Sequence, residues 1–129
     1  MRTFLATLIG IVIAMGIMMG LQMLGHTLFP VPIEINPNDT ESIRINMDLI
    51  PTASLIMVIV AHSLGQLGGL LTAKLIDTST KYPIYIIAGF LMLGTVANLA
   101  SIPHPVWFAI VDVLAMILIA LPFVLTKSK

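Results

Sequence analysis

Four apolar runs, each about as long as a membrane-crossing helix, leave the chain little freedom in how it folds. The runs cover residues 4–24, 52–74, 84–101 and 106–125. A helix needs about 20 mostly apolar residues to cross the hydrocarbon core of a bilayer. Backbone groups in lipid must be hydrogen-bonded within the protein, so runs of this length form helices. The sequence predicts an all-α integral membrane protein, residues 1–129, with four transmembrane helices in a single domain.

The composition agrees with this class, because 58% of the residues are hydrophobic and 9% are charged. A soluble domain of 129 residues needs a larger polar surface. The formal net charge is zero and cysteine is absent, so we expect no nucleic-acid partner, no disulfide and no cysteine chemistry. The first run is longer than the apolar part of a signal peptide and no A-x-A-like site follows it, so we expect it to be retained.

The basic residues orient the four runs, because cytoplasmic loops carry an excess of lysine and arginine. One side of a four-span arrangement receives Arg2, Lys74, Lys81, Lys127 and Lys129. The other side receives Arg44 alone. This split predicts cytoplasmic N and C termini, with loop 25–51 on the outer side.

The outer loop contains the signals of one short amphipathic helix. Asn38 and Glu41 have the spacing of a capping box. Ile43, Met47 and Ile50 then recur at helical spacing among charged residues. The segment is interpreted as a solvated connector, or alternatively as a lid or a docking surface for a partner.

Small residues at intervals of four predict where the helices touch, since close backbone approach drives helix association in lipid. The second run carries such a row at Ala61, Gly65, Gly69 and Ala73. The first run carries two, at Ala6, Gly10 and Ala14 and at Gly16 and Gly20. These rows are interpreted as contacts within the bundle, or as one contact between copies of the chain.

Polar residues inside the runs mark a candidate intramembrane site, because such groups are costly in lipid and usually face protein or water. The site consists of His62, Asp112, Gln66, Asn98 and Thr95. Above it, an outer vestibule is predicted from Gln22, His26 and His104. His62 lies roughly 15 Å below the outer end of its helix, at about 1.5 Å per residue. The polar positions therefore descend from the outer surface to about the midplane.

Three interpretations of this pattern compete. In the first, the residues form a hydrogen-bond network that holds the helices in register. In the second, His62 and Asp112 form a titratable pair that relays a proton or gates a cation, since histidine changes charge near neutral pH. In the third, imidazole and carboxylate groups of the outer segments meet in a zinc site, although no metal-binding spacing supports it. The residues considered for that site are His26, His104, Glu34 and Asp48.

Catalytic motifs give no support for an enzyme. The sequence has no G-x-S-x-G elbow and no glycine-rich phosphate loop in a suitable context. Nine methionines are present, but methionine is an ordinary filler of apolar cores. We expect no catalytic activity, no resident metal and no cofactor.

Four segments, "GHTLFPVP", "NPND", "HSLGQLGGLLTAK" and "NLASIPHPVWF", occur in this order along the chain. Together they resemble a group of small four-span bacterial membrane proteins to which no activity is assigned. The resemblance implies the bacterial inner membrane and no particular substrate. Size and span number are also similar to the small multidrug resistance transporters. That family uses a glutamate in its first helix, and the first run here has no acidic residue, so membership is rejected.

The sequence thus favours a structural or accessory membrane subunit, embedded in the lipid bilayer and associating with itself or with a larger membrane complex. The alternative is a small proton- or cation-coupled transporter centred on His62 and Asp112. The two functions differ in what a substitution at Asp112 would disturb: assembly in the first, pH-dependent flux in the second.

Overall fold

The computed structural model describes residues 1–36 and 38–126. The described residues are 81% helix and contain no strand. The helices are α1 (Arg2–Leu28), α2 (Thr40–Ile45), a short 3₁₀ helix (Met47–Leu49), α3 (Thr52–Ile76), α4 (Tyr82–Ser101) and α5 (Val106–Leu125). The predicted all-helical class is confirmed, and α1, α3, α4 and α5 are long and apolar enough to cross a membrane.

Prolines and neighbouring turns set the helix boundaries. α1 runs four residues beyond its predicted end, to Leu28, and stops before Pro30. Pro83 lies in the first turn of α4 and Pro105 directly precedes α5, both positions where proline costs no helical hydrogen bond. We call the end of the bundle with residues 29–51 and 102–105 the loop end. The opposite end, with Met1 and residues 77–81, is the terminal end.

The predicted helix of the outer loop is present, but its start differs by one residue from the prediction. The cap is Asp39, whose Oδ1 accepts from the backbone N–H of Glu41 at 3.0 Å. Asn38 instead belongs to a preceding turn, where its N–H donates to Asn36 Oδ1. Glu41 cannot complete a capping box because its carboxylate binds Arg44. The helical stretch is also split, since α2 ends at Ile45 before the 3₁₀ helix begins.

α3 is the central helix, because its contacts with α1, α5 and α4 are together more extensive than those of any other helix. The core lies on its flanks and consists of apolar side chains from all four long helices. The buried members are Ala6, Ala14, Leu70, Ala73, Ile84, Ile87, Leu91 and Met116. Side chains on the buried faces of α3, His62 and Gln66 among them, are therefore surrounded by protein on several sides.

The contact between α1 and α3 is a backbone contact. A Cβ atom added to Gly69 would lie 2.7 Å from the carbonyl oxygen of Gly10, and one added to Gly10 would lie 2.9 Å from that of Gly69. Gly65 is equally close to the carbonyl of Ala14. These helices run antiparallel, since Thr3 near the start of α1 meets Asp77 just after α3. Glycine is required at this crossing because no side chain fits between the two backbones.

The predicted rows of small residues have different environments. Ala61 and Ala73 are fully buried, and with Gly65 and Gly69 they line the α1 side of α3. Their counterparts on α1 are Ala6, Gly10 and Ala14. Gly16 and Gly20 lie on an exposed face of α1, and an added Cβ would meet nothing within 4 Å at either. Within residues 1–36 and 38–126 this second row makes no helix contact, because α1 turns its other face to α3.

Candidate functional site

The side of α3 that faces α5 carries two buried polar residues, His62 and Gln66. His62 meets Asp112, and Gln66 meets Met116. Within each helix the two residues are four apart, so they lie on one face. In both pairs the partners are 50 residues apart, so the two helices run parallel. α3 and α5 are thus joined by two polar contacts, one helical turn apart.

His62 and Asp112 form a buried hydrogen-bonded pair. His62 Nδ1 lies 3.0 Å from Asp112 Oδ1 and 2.9 Å from Oδ2. Asp112 is 0% exposed and His62 is 8% exposed. One proton lies between Nδ1 and the carboxyl group, because a hydrogen bond between these atoms needs one. The pair therefore joins α3 to α5 inside an apolar bundle and fixes the position of α5.

Gln66 makes the second contact with one half of its amide. Its Nε2 donates to the carbonyl oxygen of Met116 at 2.9 Å. Its Oε1 is buried and has no hydrogen-bond partner among the described residues. The side chain is 1% exposed. A buried acceptor without a donor is uncommon in folded proteins, which makes this atom the most unusual feature of the site.

The other two residues of the predicted intramembrane site take no part in these bonds. Thr95 is buried and Asn98 is half-buried, both on α4. Among the described residues, the hydrogen bonds of Asp112 go to His62 and not to either of them. The structure therefore joins His62, Asp112 and Gln66 into one site through α3 and α5, and leaves Thr95 and Asn98 on the neighbouring helix.

The residues of the predicted vestibule do not form one cluster by hydrogen bonding. His26 is exposed and Gln22 is half-buried on α1. His104, in the turn before α5, stacks on Phe108 with ring centroids 4.7 Å apart and planes 12° apart. Phe108 is fully buried and lies one helical turn before Asp112. The stacked rings therefore cover α5 between the loop end and the polar pair.

His104 also has a defined hydrogen-bonding role. Its Nδ1 donates to the carbonyl oxygen of Ile102 at 2.6 Å, as the acceptor character of a carbonyl requires. Burial lowers the pKa of His104, and this effect exceeds the opposing effect of the Ile102 carbonyl. The imidazole of His104 is therefore uncharged at neutral pH. It lies over Phe108, on the loop-end side of the site.

The residues considered for a zinc site are not brought together. Within residues 1–36 and 38–126, no group of three histidine, aspartate or glutamate side chains is placed to hold a metal ion. Of the four residues concerned, the two acidic ones, Glu34 and Asp48, are exposed in the outer loop.

A polar cluster at the terminal end was not predicted from the sequence. Asp77 accepts hydrogen bonds from Thr3 Oγ1 at 2.8 Å, from Ser79 N–H at 3.0 Å and from Ser79 Oγ at 2.6 Å. These bonds, Ser79 first, lower the pKa of Asp77 to about 2. A signal was available, since aspartate two residues before serine is typical of an Asx-type turn. The cluster joins the start of α1 to the turn after α3.

Two lysines extend this cluster to α5. Lys81 Nζ donates to the carbonyl oxygen of Val124 at 2.5 Å, where a helix end leaves carbonyl groups unpaired. Lys74 Nζ lies 5.7 Å from the centroid of the Phe123 ring, a cation–π distance. These contacts join α1, α3 and α5 at the terminal end.

The chain has no significant similarity to any protein-family model, curated protein or solved structure.

Proposed function

We propose that the chain is a multi-pass integral protein of a bacterial inner membrane, with both termini in the cytoplasm. Four long apolar helices support the membrane assignment. Arg2, Lys74 and Lys81 belong to the terminal end, and Arg44 belongs to the loop end. By the excess of basic residues on the cytoplasmic side, the terminal end is the inner one. Lys127 and Lys129, which entered the same prediction, lie outside the described residues.

Within that membrane, we propose that the protein is a structural or accessory subunit rather than an enzyme. The observation that carries this proposal is that α3 holds two neighbouring helices. One side of α3 packs on the backbone of α1, and the other side binds α5 through buried polar groups. Contacts in the interior of the bundle thus hold α1, α3 and α5 together. Its outward faces are apolar along all four long helices, and they are suited to lipid, to another copy or to a larger membrane partner.

The test is gentle extraction from the native membrane at native expression level, followed by mass spectrometry of whatever co-purifies in stoichiometric amount. A defined partner, or a discrete homo-oligomer, is the expected result. An Asp112→Asn variant should weaken that assembly or the stability of the subunit, because Asp112 positions α5. Recovery of the chain only as an isolated monomer, in several mild detergents, would contradict the subunit proposal.

A second function is supported by one specific observation. The His62–Asp112 pair places a titratable imidazole and a carboxylate inside the bundle, an arrangement used for intramembrane proton relays. On this proposal the protein couples transport to a proton or another cation.

Proton flux into liposomes containing the purified protein tests the second function. Asp112→Asn should abolish pH-dependent flux while circular dichroism and gel filtration remain those of the unsubstituted protein. His62→Ala should act in the same way. Flux that is unaffected by both substitutions would eliminate the pair as a transport centre, and unchanged stability as well would eliminate its structural role.

A further inference from the structure

The buried oxygen of Gln66 needs a hydrogen-bond donor that the described residues do not supply. Its side chain is 1% exposed, and Oε1 has no partner among the described residues. Leaving such an acceptor dry costs free energy comparable to a lost hydrogen bond. Folded proteins usually meet this need with a buried water molecule.

Reversing the amide group does not remove the problem. The atom 2.9 Å from the Met116 carbonyl oxygen must be a donor, because that oxygen is an acceptor. Nε2 therefore points at Met116, and Oε1 is the atom left over. The assignment follows from chemistry and does not depend on distinguishing nitrogen from oxygen by position.

A second polar group lies on the same face of α3, one helical turn from Gln66. His62 lies four residues before Gln66, and both side chains reach α5, at Asp112 and Met116 respectively. Residues at this spacing have Cβ atoms about 6 Å apart, a separation that one water molecule can bridge. Asp112 occupies only the Nδ1 atom of the imidazole, so its Nε2 atom is available for a further bond.

We infer that a single water molecule is bound inside the bundle between Gln66 Oε1 and the imidazole of His62. The water donates one hydrogen to Oε1. It donates its second hydrogen to Nε2 when the imidazole is neutral, and accepts from Nε2–H when the imidazole is charged. Leu70, one turn beyond Gln66 on the same face of α3, is apolar and fully buried, so the site holds one water and not a continuing chain. This inference does not rest on either proposed function.

The protein offers an unusually clean test, because Gln22 and Gln66 are its two glutamines. The full chain, labelled with ¹⁵N in the glutamine side chains and in the leucine backbone amides and reconstituted in lipid nanodiscs, should give two side-chain amide signals. A Gln22→Asn variant assigns them, since Gln22 lies in a half-buried position of α1. Water-selective NMR then measures the transfer of magnetisation from water to each amide.

The expected result is transfer to the Gln66 amide several-fold faster than to the backbone amide of Leu70, despite its 1% exposure. Equal transfer to the two groups would overturn the inference. The His62→Phe variant separates a bound water from exchange relayed by the imidazole. Because Oε1 still needs a donor there, the Gln66 signal should persist, and its loss would show that no water is held by the glutamine.

A thermal measurement gives an independent answer. Gln66→Met removes both the Met116 bond and the acceptor while keeping a similar shape. If Oε1 binds water, the substitution removes two satisfied hydrogen bonds, and the midpoint of thermal denaturation falls. If Oε1 is dry, the substitution removes a penalty larger than one intramembrane hydrogen bond, and the midpoint rises. A rise would overturn the inference whatever the oligomeric state or partner of the protein.

Discussion

The two sides of α3 hold their neighbours by different physical means. On the α1 side, Gly10 and Gly69 bring two backbones into contact, with each glycine close to the carbonyl oxygen of the other. On the α5 side, His62 and Gln66 make hydrogen bonds to Asp112 and to the Met116 carbonyl. The first contact depends on the absence of side chains and the second on their chemistry. One helix thus combines both modes by which helices associate in lipid.

This difference implies different responses to substitution. A backbone contact has no flexible atoms that could move aside, so added volume separates the helices. A polar contact can be replaced in matched pairs, because two apolar side chains leave no polar group unsatisfied. The following predictions run from the largest expected effect to the smallest.

Gly69→Leu should abolish the folded bundle. Even the first added carbon would lie 2.7 Å from the Gly10 carbonyl oxygen and 2.9 Å from Ala14 Cβ, and overpacking of this kind exceeds the ~1–3 kcal/mol seen where side chains can relax. Gel filtration and thermal denaturation in detergent measure the loss. Gly94→Leu is the matched control, since an added Cβ there meets nothing within 4 Å. Equal tolerance of both would refute the backbone contact.

Asp112→Leu should destabilise the protein by about 3 kcal/mol, because it leaves the imidazole of His62 buried without a partner. The double variant His62→Leu/Asp112→Leu should recover most of this loss. A double-mutant cycle of unfolding free energies, built from the two single variants and the double, measures the coupling. Strictly additive effects would show that the two groups do not stabilise each other, and the contrast between the two sides of α3 would then disappear.

Asp77 lies just after α3, where it binds the start of α1, and acid should weaken this contact. The pKa of its carboxyl group falls from the ordinary 3.8 to about 2 in the folded protein, because Ser79 and Thr3 donate to the ionised form. The unfolded chain therefore takes up a proton first as the pH falls. The stabilisation is complete above about pH 4 and disappears as the pH falls through about 2.

Thermal denaturation between pH 5 and pH 2 tests this prediction by comparing the unsubstituted protein with Asp77→Asn. The asparagine variant should be less stable at pH 5, and the difference should narrow towards pH 2. A constant difference across this range would mean that the Asp77 carboxylate does not contribute through its charge.

The smallest effect is expected at the Arg44–Glu41 ion pair, which belongs to neither side of α3. Arg44 adds little to the stability of the bundle, because its ion pair with Glu41 is solvent-exposed on α2. The N–O distance of the pair is 2.6 Å. Exposed pairs of this kind contribute little. Arg44→Gln should leave the denaturation midpoint unchanged, although it should return the lowered pKa of Glu41 towards its ordinary value. A fall in the midpoint as large as that of Asp112→Leu would make the outer loop part of the stabilising core.

The helices could be predicted from the sequence because length and hydropathy are local properties. The four apolar runs correspond to α1, α3, α4 and α5 with shifts of a few residues. Pairing is not local, and the glycines illustrate this. Gly16 and Gly20 have the same spacing as Gly65 and Gly69, yet only the second pair contacts another helix. Spacing identifies faces that can pack closely, and the tertiary fold selects the face that does.

The candidate site shows the same limit. Depth along each helix placed Asp112, His62 and Gln66 in one descending series, since rise per residue is fixed. Rotation about the helix axes determines which side chains meet, and it separates Asn98 from the bonded group. Asp77 was missed for a different reason. It lies just beyond an apolar run, where hydropathy gives no information and only the following Ser79 marks the turn.

The pairing of α3 with α5 also has a consequence for biogenesis. A ribosome delivers α3 well before α5, so in the proposed membrane His62 and Gln66 enter the hydrocarbon ahead of Asp112 and the Met116 carbonyl. Until the last helix arrives, the imidazole and the amide lack the groups that satisfy them in the finished fold, and such groups are costly in lipid. A chain truncated before residue 106 would therefore lack the two groups on α5 that satisfy His62 and Gln66.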